Sequence, residues 1–348
     1  MVRRFSVMAI RVAALAIVAS CSGDDAPVAP SQPDGFADAL ALAVLPDENP
    51  DPRVVEVTLV AEVTEMEVVP GLVTPVWAYA GHLPGPLIRV RAGDRLVVHF
   101  ENRLPEATTV HWHGVRLPNA MDGAPPHTQE PVPPGGRFEY AFDVPDAGVY
   151  WYHPHENSAA QLGYGLYGAL IVDPADAEPQ GLGDEVVMVL SDMSIDPATG
   201  AQIAPDQGGD LATLFGREGG AVLVNGRVQP TLRARSGLRQ RWRIVNASRS
   251  RYFRLALSGH AFERIGGEAG LYAAPIASDE ILVVPGSRAD VVVRPVGAPG
   301  DVLTLTWLPY DRGYGSVEFR DPVPVLSVAI EGETVESAPL PPLGEVVA

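Results

Sequence analysis

The sequence predicts an all-β protein built from two β-sandwich domains in tandem. Short apolar runs with an alternating pattern are separated by turn residues, and the 348 residues include 35 glycines and 34 prolines. Only 20% of the residues are charged, and no long segment beyond the N-terminus has helical periodicity. Short strands between regular turns are typical of sandwiches and barrels. A chain of this length suits two domains that each bury a core.

The N-terminus has the pattern of an export signal. Arginines precede an apolar run over residues 12–19, which is too short to span a membrane stably. The four residues that end in Cys21, Val-Ala-Ser-Cys, resemble the lipobox of bacterial lipoproteins. We therefore expect residues 1–20 to be a lipoprotein-type signal peptide, with an ordinary signal peptide as the alternative. The protein would then be exported and held at the periplasmic or outer surface of the envelope by a lipid on Cys21.

The net charge and the cysteine count argue against two classes of function, nucleic-acid binding and thiol chemistry. The formal net charge is −18, which argues against a nucleic-acid partner because nucleic acids select basic surfaces. Cys21 is the only cysteine. If it carries a lipid, no thiol remains for catalysis, for a disulfide or for a metal.

The rest of the chain divides into two strand-rich parts between segments of different composition. Residues 21–50 are rich in Ala, Pro, Asp and Ser and lack strand alternation, which predicts a flexible tether. The first domain is expected over 51–173 and the second over 184–331. Residues 332–348 have the composition of a further linker.

The strand candidates follow from alternation between turn signals. In the first domain they are 54–60, 84–90, 93–100, 111–113, 137–144 and 150–155. In the second domain they are 186–190, 221–224, 238–245, 252–257, 281–284, 290–293 and 302–308. Asn-Gly at 225–226 and Pro-Gly at 285–286 are turn signals between them.

Two His-x-His triplets in the first domain predict a metal site. His111 and His113 form one triplet, and His153 and His155 form the other, each beside β-branched and aromatic residues that favour extended chain. Residues two apart on a strand share a face. If the two strands are neighbours, the four imidazoles converge on one patch. Trp151 shares this face, and its position alone assigns it no role.

The other four histidines have no partner at ligand spacing. They are His82, His99, His127 and His260. We interpret them as solvated, capping or otherwise structural residues.

Together these segments resemble the N-terminal two-thirds of bacterial multicopper oxidases, the laccase-like family of enzymes built from cupredoxin domains. The matching pieces in the first domain are Pro-Gly-Pro-Leu-Ile (84–88), His-Trp-His-Gly (111–114), Met-Asp-Gly (121–123), 148–155 and 165–172. Those in the second domain are Val-Asn-Gly (224–226), 243–247 and 285–290. The resemblance extends from about residue 51 to the end, and it implies two cupredoxin-like Greek-key sandwiches.

The resemblance also implies roles for individual residues around a three-copper cluster that reduces O2 to water. His111 matches a ligand of the type 2 copper. His113 and His153 match ligands of one copper of the type 3 pair, and His155 matches a ligand of the other. Imidazole suits copper, which ranks high in the divalent affinity order. Asp122 resembles the loop carboxylate that helps deliver protons to bound oxygen, with a plain Asp-Gly turn as the alternative.

The chain departs from the family where a third domain is expected. That domain brings four more cluster ligands and a type 1 copper, whose ligand set requires a thiolate. Only His260 follows His155, and no cysteine follows Cys21. We therefore expect a chain that is truncated before the type 1 copper domain. A third domain, or a second copy of this chain, would have to complete the cluster.

Three functions remain open. The first is a laccase-like oxidase that couples one-electron oxidation of phenols, aromatic amines or metal ions to reduction of O2 to water. The second is a non-catalytic, copper-binding envelope protein that keeps half of the cluster. The third is a structural relative without copper, against which the four histidines argue. A structural zinc site is disfavoured because four histidines lie outside its usual ligand sets.

Overall fold

The computed structural model describes residues 30–204, 214, 216–313 and 321–343. The expected signal peptide and the lipid anchor at Cys21 lie outside the described residues. No helix in the described part of the chain is both long and apolar enough to cross a membrane. Strands dominate the described residues, which confirms the predicted all-β class.

Two four-stranded sheets form the first domain. Its strands are β1 (Val54–Val69), β2 (Leu72–Tyr79), β3 (Gly85–Arg91), β4 (Arg95–Asn102), β5 (His111–His113), β6 (Arg137–Asp143), β7 (Gly148–His153) and β8 (Gly168–Asp173). One sheet has the order β2-β1-β4-β6 and the other β3-β8-β7-β5. A short helix, α1 (Ser158–Tyr164), connects β7 to β8. Among the described residues, 3-10 helices are formed by Asn119–Met121 in this domain and by Asp38–Leu40 before it.

The core of the first domain lies between its two sheets. In β4, Leu96, Val98 and Phe100 are buried, while the residues between them are partly exposed. This is the period-two alternation expected of a strand with one face on a core. Trp112 reaches the same core from β5 in the opposite sheet and is fully buried. The three-residue strand β5 is therefore anchored by the one side chain that points inward.

The second domain is a larger sandwich of the same kind. Its strands are β9 (Asp184–Met193), β10 (Ala221–Val224), β11 (Thr231–Arg235), β12 (Gln240–Asn246), β13 (Phe253–Leu257), β14 (Phe262–Gly266), β15 (Leu271–Ser278), β16 (Glu280–Val283), β17 (Arg288–Val293), β18 (Val302–Leu308) and β19 (Val323–Glu331). One sheet has the order β10-β9-β12-β17-β14-β15, and the other β11-β19-β18-β13-β16. Their facing side chains form one apolar core around Trp242.

A further apolar cluster joins the two sandwiches. Val149 and Trp151 of β7 pack with Val187 and Val189 of β9 and with Val245 of β12. Strand β7 is therefore buried on both faces, toward its own core and toward the second domain, which explains its nearly continuous apolar sequence. Both domains thus hold the strand that carries the second histidine triplet.

The prediction of a flexible tether over residues 21–50 is wrong for the segment that approaches the second domain. Leu40 is only 3% exposed and joins the core of that domain. Its carbonyl accepts a hydrogen bond of 2.6 Å from Nδ2 of the buried Asn225. Further along, the Leu87 amide donates to the Ala43 carbonyl at 2.7 Å. One buried leucine and a few backbone hydrogen bonds fix this segment. It is therefore ordered although its sequence lacks strand alternation.

The linker-like tail predicted over 332–348 also packs against the second domain where it is described. The Val335 amide donates to the Ser236 carbonyl at 2.9 Å. Leu343, 6% exposed, packs with Leu182, Ile265 and Val292. Spaced single leucines between prolines bury apolar area without a periodic pattern, and for this reason composition alone misassigned the tail.

The packing of the N-terminal segment predicts a stability effect. We expect Leu40→Ala to lower the free energy of unfolding by about 2–4 kcal/mol because it empties a filled core position. Val44→Ala, at a side chain that is 65% exposed, is the matched control and should change it by less than about 0.5 kcal/mol. Denaturant unfolding measures both. Equal, small effects would mean that the segment is a tether after all.

Candidate metal centre

The structure places the two triplet strands side by side. β5 and β7 pair antiparallel, with His111 opposite His153 and His113 opposite Trp151. Because the register puts the histidines on the same face, their side chains gather on the side of the sheet away from the Trp112 core. His155 follows β7 after Pro154 and is the most exposed member of the group.

The four imidazoles lie within contact of one another. Ring centroids of His111 and His155 are 4.4 Å apart, and those of His111 and His153 are 5.2 Å apart. Ligand nitrogens of these three residues all lie within 4.8 Å of one another. His113 joins through His153, because its Nδ1 lies 3.2 Å from His153 Nε2. All four sequence-predicted metal ligands are thus brought together.

Backbone carbonyls orient two of the rings. Nδ1 of His111 lies 2.7 Å from the carbonyl oxygen of Asp122, and Nδ1 of His153 lies 3.0 Å from that of Pro154. A carbonyl only accepts, so each Nδ1 must carry the proton and donate it. In both residues Nε2 is then unprotonated, and its lone pair can bind a metal. This is the usual way in which a neighbouring group sets the tautomer of a metal-binding histidine.

The Asp122 loop is pressed closely against β5. Gly123 adopts a positive φ of 71°, and a Cβ there would collide with the carbonyl of Val110. Only glycine permits this approach. The carboxylate Oδ1 of Asp122 lies 3.4 Å from His111 Nδ1 and the side chain is 32% exposed. The sequence-predicted Asp122 therefore stands beside a cluster histidine with access to solvent.

Buried polar groups fix the His155 segment. The His155 amide donates to Thr109 Oγ1 at 3.1 Å. In α1, the fully buried Gln161 accepts a bond of 2.6 Å from Thr108 Oγ1 and donates to the Ala107 carbonyl at 2.8 Å. These bonds tie the chain after the second triplet to the chain before the first. Sequence analysis assigned no role to Thr109 or Gln161, since a single polar residue in a strand or short helix carries no periodic signal.

Trp151 lines the cluster. It is 3% exposed and stacks on His153 with 4.1 Å between ring centroids and on His113 with 4.9 Å. Its ring limits the rotation of both imidazoles. Because Trp151 and His153 lie two residues apart on one strand, the sequence indicated that they share a face. Alternation alone does not distinguish a residue that lines a site from one that enters the domain interface.

The environment favours the neutral form of three of the cluster histidines. Burial, reinforced by the charge of His111, lowers the pKa of His153 well below its usual range. Burial also lowers the pKa of His113 to about 3, with a further contribution from the cation of Arg288. The pKa of His155 is lowered by burial and by His111. Neutral imidazole is the form that binds a cation, so the site is prepared for a metal at neutral pH.

The nitrogen positions fit a first-row transition metal. Two imidazole nitrogens at about 2.0 Å from one ion lie roughly 2.9–3.4 Å apart for bond angles between about 90° and 110°. The 3.2 Å between His113 Nδ1 and His153 Nε2 falls in this range. An all-imidazole donor set favours copper, zinc, iron or nickel over magnesium or calcium.

Two of the remaining histidines have structural partners. His99 Nε2 lies 2.7 Å from Glu56 Oε1 on the outer face of the first domain. His260 Nε2 lies 2.9 Å from the amide of Val296, which donates to it. His82 and His127 are absent from the one group of three or more potential ligands found among the described residues.

The geometry separates two roles of Asp122. Its carbonyl, not its carboxylate, makes the shorter contact with His111. We therefore expect Asp122→Asn to change Cu²⁺ affinity by less than about 3-fold, because the backbone contact survives. Competition with a chelator measures this affinity. A loss of 10-fold or more would show that the carboxylate itself supports metal binding, as groups behind a ligand can do.

Comparison with known proteins shows the family to which the chain belongs. One family model described as multicopper oxidase matches residues 61–177, and a second with the same description matches residues 184–302. The two matches correspond to the two sandwiches. The first contains the four histidines and Asp122.

Individual relatives agree with the family models. The multicopper oxidase MmcO of Mycobacterium tuberculosis is 34% identical over 264 residues, which are 68% of this chain and 51% of that protein. The crystal structure of a multicopper oxidase from Pseudomonas thermotolerans is 36% identical, with a TM-score of 0.71, over 83% of this chain and 68% of that one. A multicopper oxidase from Campylobacter jejuni, described as a metallo-oxidase, is 31% identical, with a TM-score of 0.77, over 88% of this chain and 64% of that one.

The chain therefore spans about half the length of the curated relatives it matches. The structural matches extend over both sandwiches, so the predicted tandem of cupredoxin-like domains is confirmed. Family models, sequence relatives and solved structures agree. This chain belongs to the multicopper oxidase family.

Proposed function

We propose that the protein contributes the copper-binding domains of a laccase-like oxidase. Such an enzyme couples one-electron oxidation of a small reductant to reduction of O2 to water. The observation that carries the proposal is the register of β5 and β7, which sets His111 opposite His153 with both Nε2 atoms unprotonated. A structural relative without copper would have no need for neutral histidines gathered on one face.

Each histidine has a proposed place in the copper set. His111 would hold the type 2 copper. His113 and His153, whose nitrogens already have the separation of two ligands on one ion, would share one copper of the type 3 pair. His155 would hold the other. Bound copper supplies the electron-transfer chemistry with O2, and the chain's own groups orient the ligands through the carbonyls of Asp122 and Pro154.

Asp122 is the proposed proton donor. Reduction of O2 to two waters consumes four protons, which must cross from solvent to the site. The Asp122 carboxylate is partly exposed on one side and lies 3.4 Å from the His111 ring on the other. A proton taken up at Oδ1 from solvent has a short path to the cluster. The backbone contact to His111 is independent of this transfer, so ligand orientation persists while the carboxyl changes its protonation.

The source of electrons is proposed to lie outside this sequence. A type 1 copper needs a thiolate, and the only cysteine is Cys21. A third domain would supply that copper and the remaining cluster ligands, docking where His155 is exposed. A second copy of the chain, which has no further cysteine, would supply cluster ligands alone. The reducing substrate would be a phenol, an aromatic amine or a metal ion. The signal pattern supports a location at the cell envelope, with the lipid on Cys21 as the proposed anchor.

The second candidate is a copper-binding envelope protein that does not turn over. The exposure of His155 favours it, because a half-site that is open to solvent can exchange copper without a partner.

Oxygen uptake separates the two functions. We would isolate the protein from its source with its natural partners, load it with copper and supply a phenol or cuprous ion. An oxidase consumes O2, and His153→Ala abolishes this while removing copper. Copper that is bound and lost in the same way, without O2 uptake in either protein, would contradict the oxidase and establish the second candidate.

A further inference from the structure

A buried arginine of the second domain reaches into the copper-binding domain. Arg288 opens β17 and is 2% exposed. Its Nε donates to the carbonyl of Val149 at 2.8 Å, and Val149 lies on β7, the strand that carries Trp151 and His153. Its Nη1 donates to the Gly286 carbonyl in its own loop at 3.1 Å. One guanidinium therefore connects the loop before β17 to the histidine strand of the other domain.

The same side chain lies against the end of β5. Gly114, which follows His113, has a positive φ of 85°, and a Cβ there would collide with Arg288 Nη2. The guanidinium carbon also lies 5.8 Å from the ring centroid of Tyr150. The arginine thus fills the space behind the turn where β5 ends. This space exists only because residue 114 is glycine.

The loop that Arg288 fixes covers a copper ligand. A Cβ on Gly286 would lie 3.3 Å from His113 Cε1 and 3.9 Å from Trp151. The His113 ring is therefore confined between Trp151, which stacks on it, and the backbone at Gly286. Trp151 belongs to the first domain, whereas the backbone that covers the other side of the His113 ring belongs to the second domain.

The charge at this position is nearly uncompensated. Among the described residues, the acidic group paired with Arg288 is Glu268, 3.5 Å away, whose side chain is 53% exposed. A pair with an exposed carboxylate is weak. The arginine is therefore retained in a buried setting for its two hydrogen bonds to backbone carbonyls rather than for an ion pair. A lysine cannot reproduce that planar fork.

We propose that Arg288 is a positioning residue for His113, through which docking of the second domain sets copper binding in the first. The proposal rests on the copper assignment made above. It gives the second domain a part in the site, although none of the proposed ligands belongs to it. The route is from the Arg288 guanidinium to Val149 and Gly286, and from the Gly286 backbone to the His113 ring.

A double-mutant cycle tests this route. Cu²⁺ affinity is measured by chelator competition for the parent, Arg288→Lys, His113→Ala and the double variant. The lysine keeps the charge and loses the fork. We expect Arg288→Lys to weaken binding by about 10-fold, the lower end for groups that orient a ligand. In the His113→Ala background it should have an effect of less than about 2-fold, because a residue that acts through His113 has nothing left to position.

Arg251→Lys is the matched control for general destabilisation. Arg251 is also 2% exposed in the second domain, where it pairs with the buried Asp192 at 2.8 Å. It should lower the melting temperature without weakening copper binding. If Arg288→Lys behaves in the same way, or weakens binding equally in both backgrounds, the positioning role is overturned. If His113→Ala itself leaves copper affinity unchanged, the copper assignment fails, and the role of Arg288 fails with it.

Discussion

Replacing His153 by alanine is expected to weaken copper binding by more than about 100-fold. Groups that merely orient a ligand are worth about 10- to 100-fold in metal affinity, and His153 is proposed as a ligand itself. Its imidazole is the centre of the cluster: it contacts His113 through Nε2 and shares the close nitrogen group of His111 and His155. Loss of this one ring removes both the nitrogen next to His113 Nδ1 and one member of the group of three.

The control for this substitution is His99→Ala. His99 also stands on a strand of the first domain and has a carboxylate partner in Glu56, but it lies outside the cluster. It should leave copper affinity within about 2-fold of the parent. Metal analysis after dialysis and chelator competition measure both variants. Equal copper content in His153→Ala and the parent would rule out the assigned site.

The second large effect is a loss of apo-protein stability in mild acid. The folded-state pKa values of His153, His113 and His155 are lowered, whereas an unfolded histidine titrates near about 6.5. Below that pH the histidines bind protons in the unfolded chain but not in the native site. The free energy of unfolding therefore falls as the pH decreases from about 6.5 toward the folded-state pKa. For the buried His153, the slope approaches about 1.4 kcal/mol per pH unit.

Urea unfolding of the metal-free protein at several pH values between 7 and 5 tests this direction of the pH dependence. His153→Gln removes one titrating ring and keeps a neutral polar side chain, so its stability should fall less steeply than that of the parent. Comparison within this pair cancels the contribution of the carboxylates, which titrate in both proteins. Identical slopes would show that His153 takes up its proton equally in the folded and unfolded protein, contrary to its burial.

The centre of the site was predictable because it depends on a strict period. Residues two apart on a strand share a face, so His111 and His113 had to point together once β5 was a strand. The turn and glycine signals that place Asp122 were also local, since Met-Asp-Gly contains the residue with the required positive φ. Neither inference needed knowledge of distant contacts. Only the pairing of β5 with β7 was a tertiary assumption.

What escaped sequence analysis depends on partners far away in the chain. Leu40 lies in a segment without strand alternation and is buried by a domain that begins over a hundred residues later. Strand β15 presents mostly exposed Ala, Pro and Ser, so it has no alternating face to detect. Arg288 belongs to the segment 285–290, which resembles the family, but its hydrogen bond to Val149 spans 139 residues. No local pattern indicates that an arginine of one domain lies behind a histidine of the other.

Burial shifts the pH range of the site below that of free histidines. Taken alone, the four histidines suggest copper release near the reference pKa of about 6.5. The structure lowers the pKa of three of them. Proton competition therefore begins at lower pH, and copper binding should persist below pH 6.

Titration of the metal-free chain with copper, followed by electron paramagnetic resonance, tests the central claim most directly. The claim is that His111, His113, His153 and His155 form half of a three-copper cluster. Four ligands leave most coordination positions open, and clustered cupric ions repel one another. We predict fewer than three bound coppers per chain, with nitrogen-ligated signals that disappear in His153→Ala. Three tightly bound coppers with a coupled, silent pair would contradict a half-site, and unchanged binding in His153→Ala would contradict the histidine cluster itself.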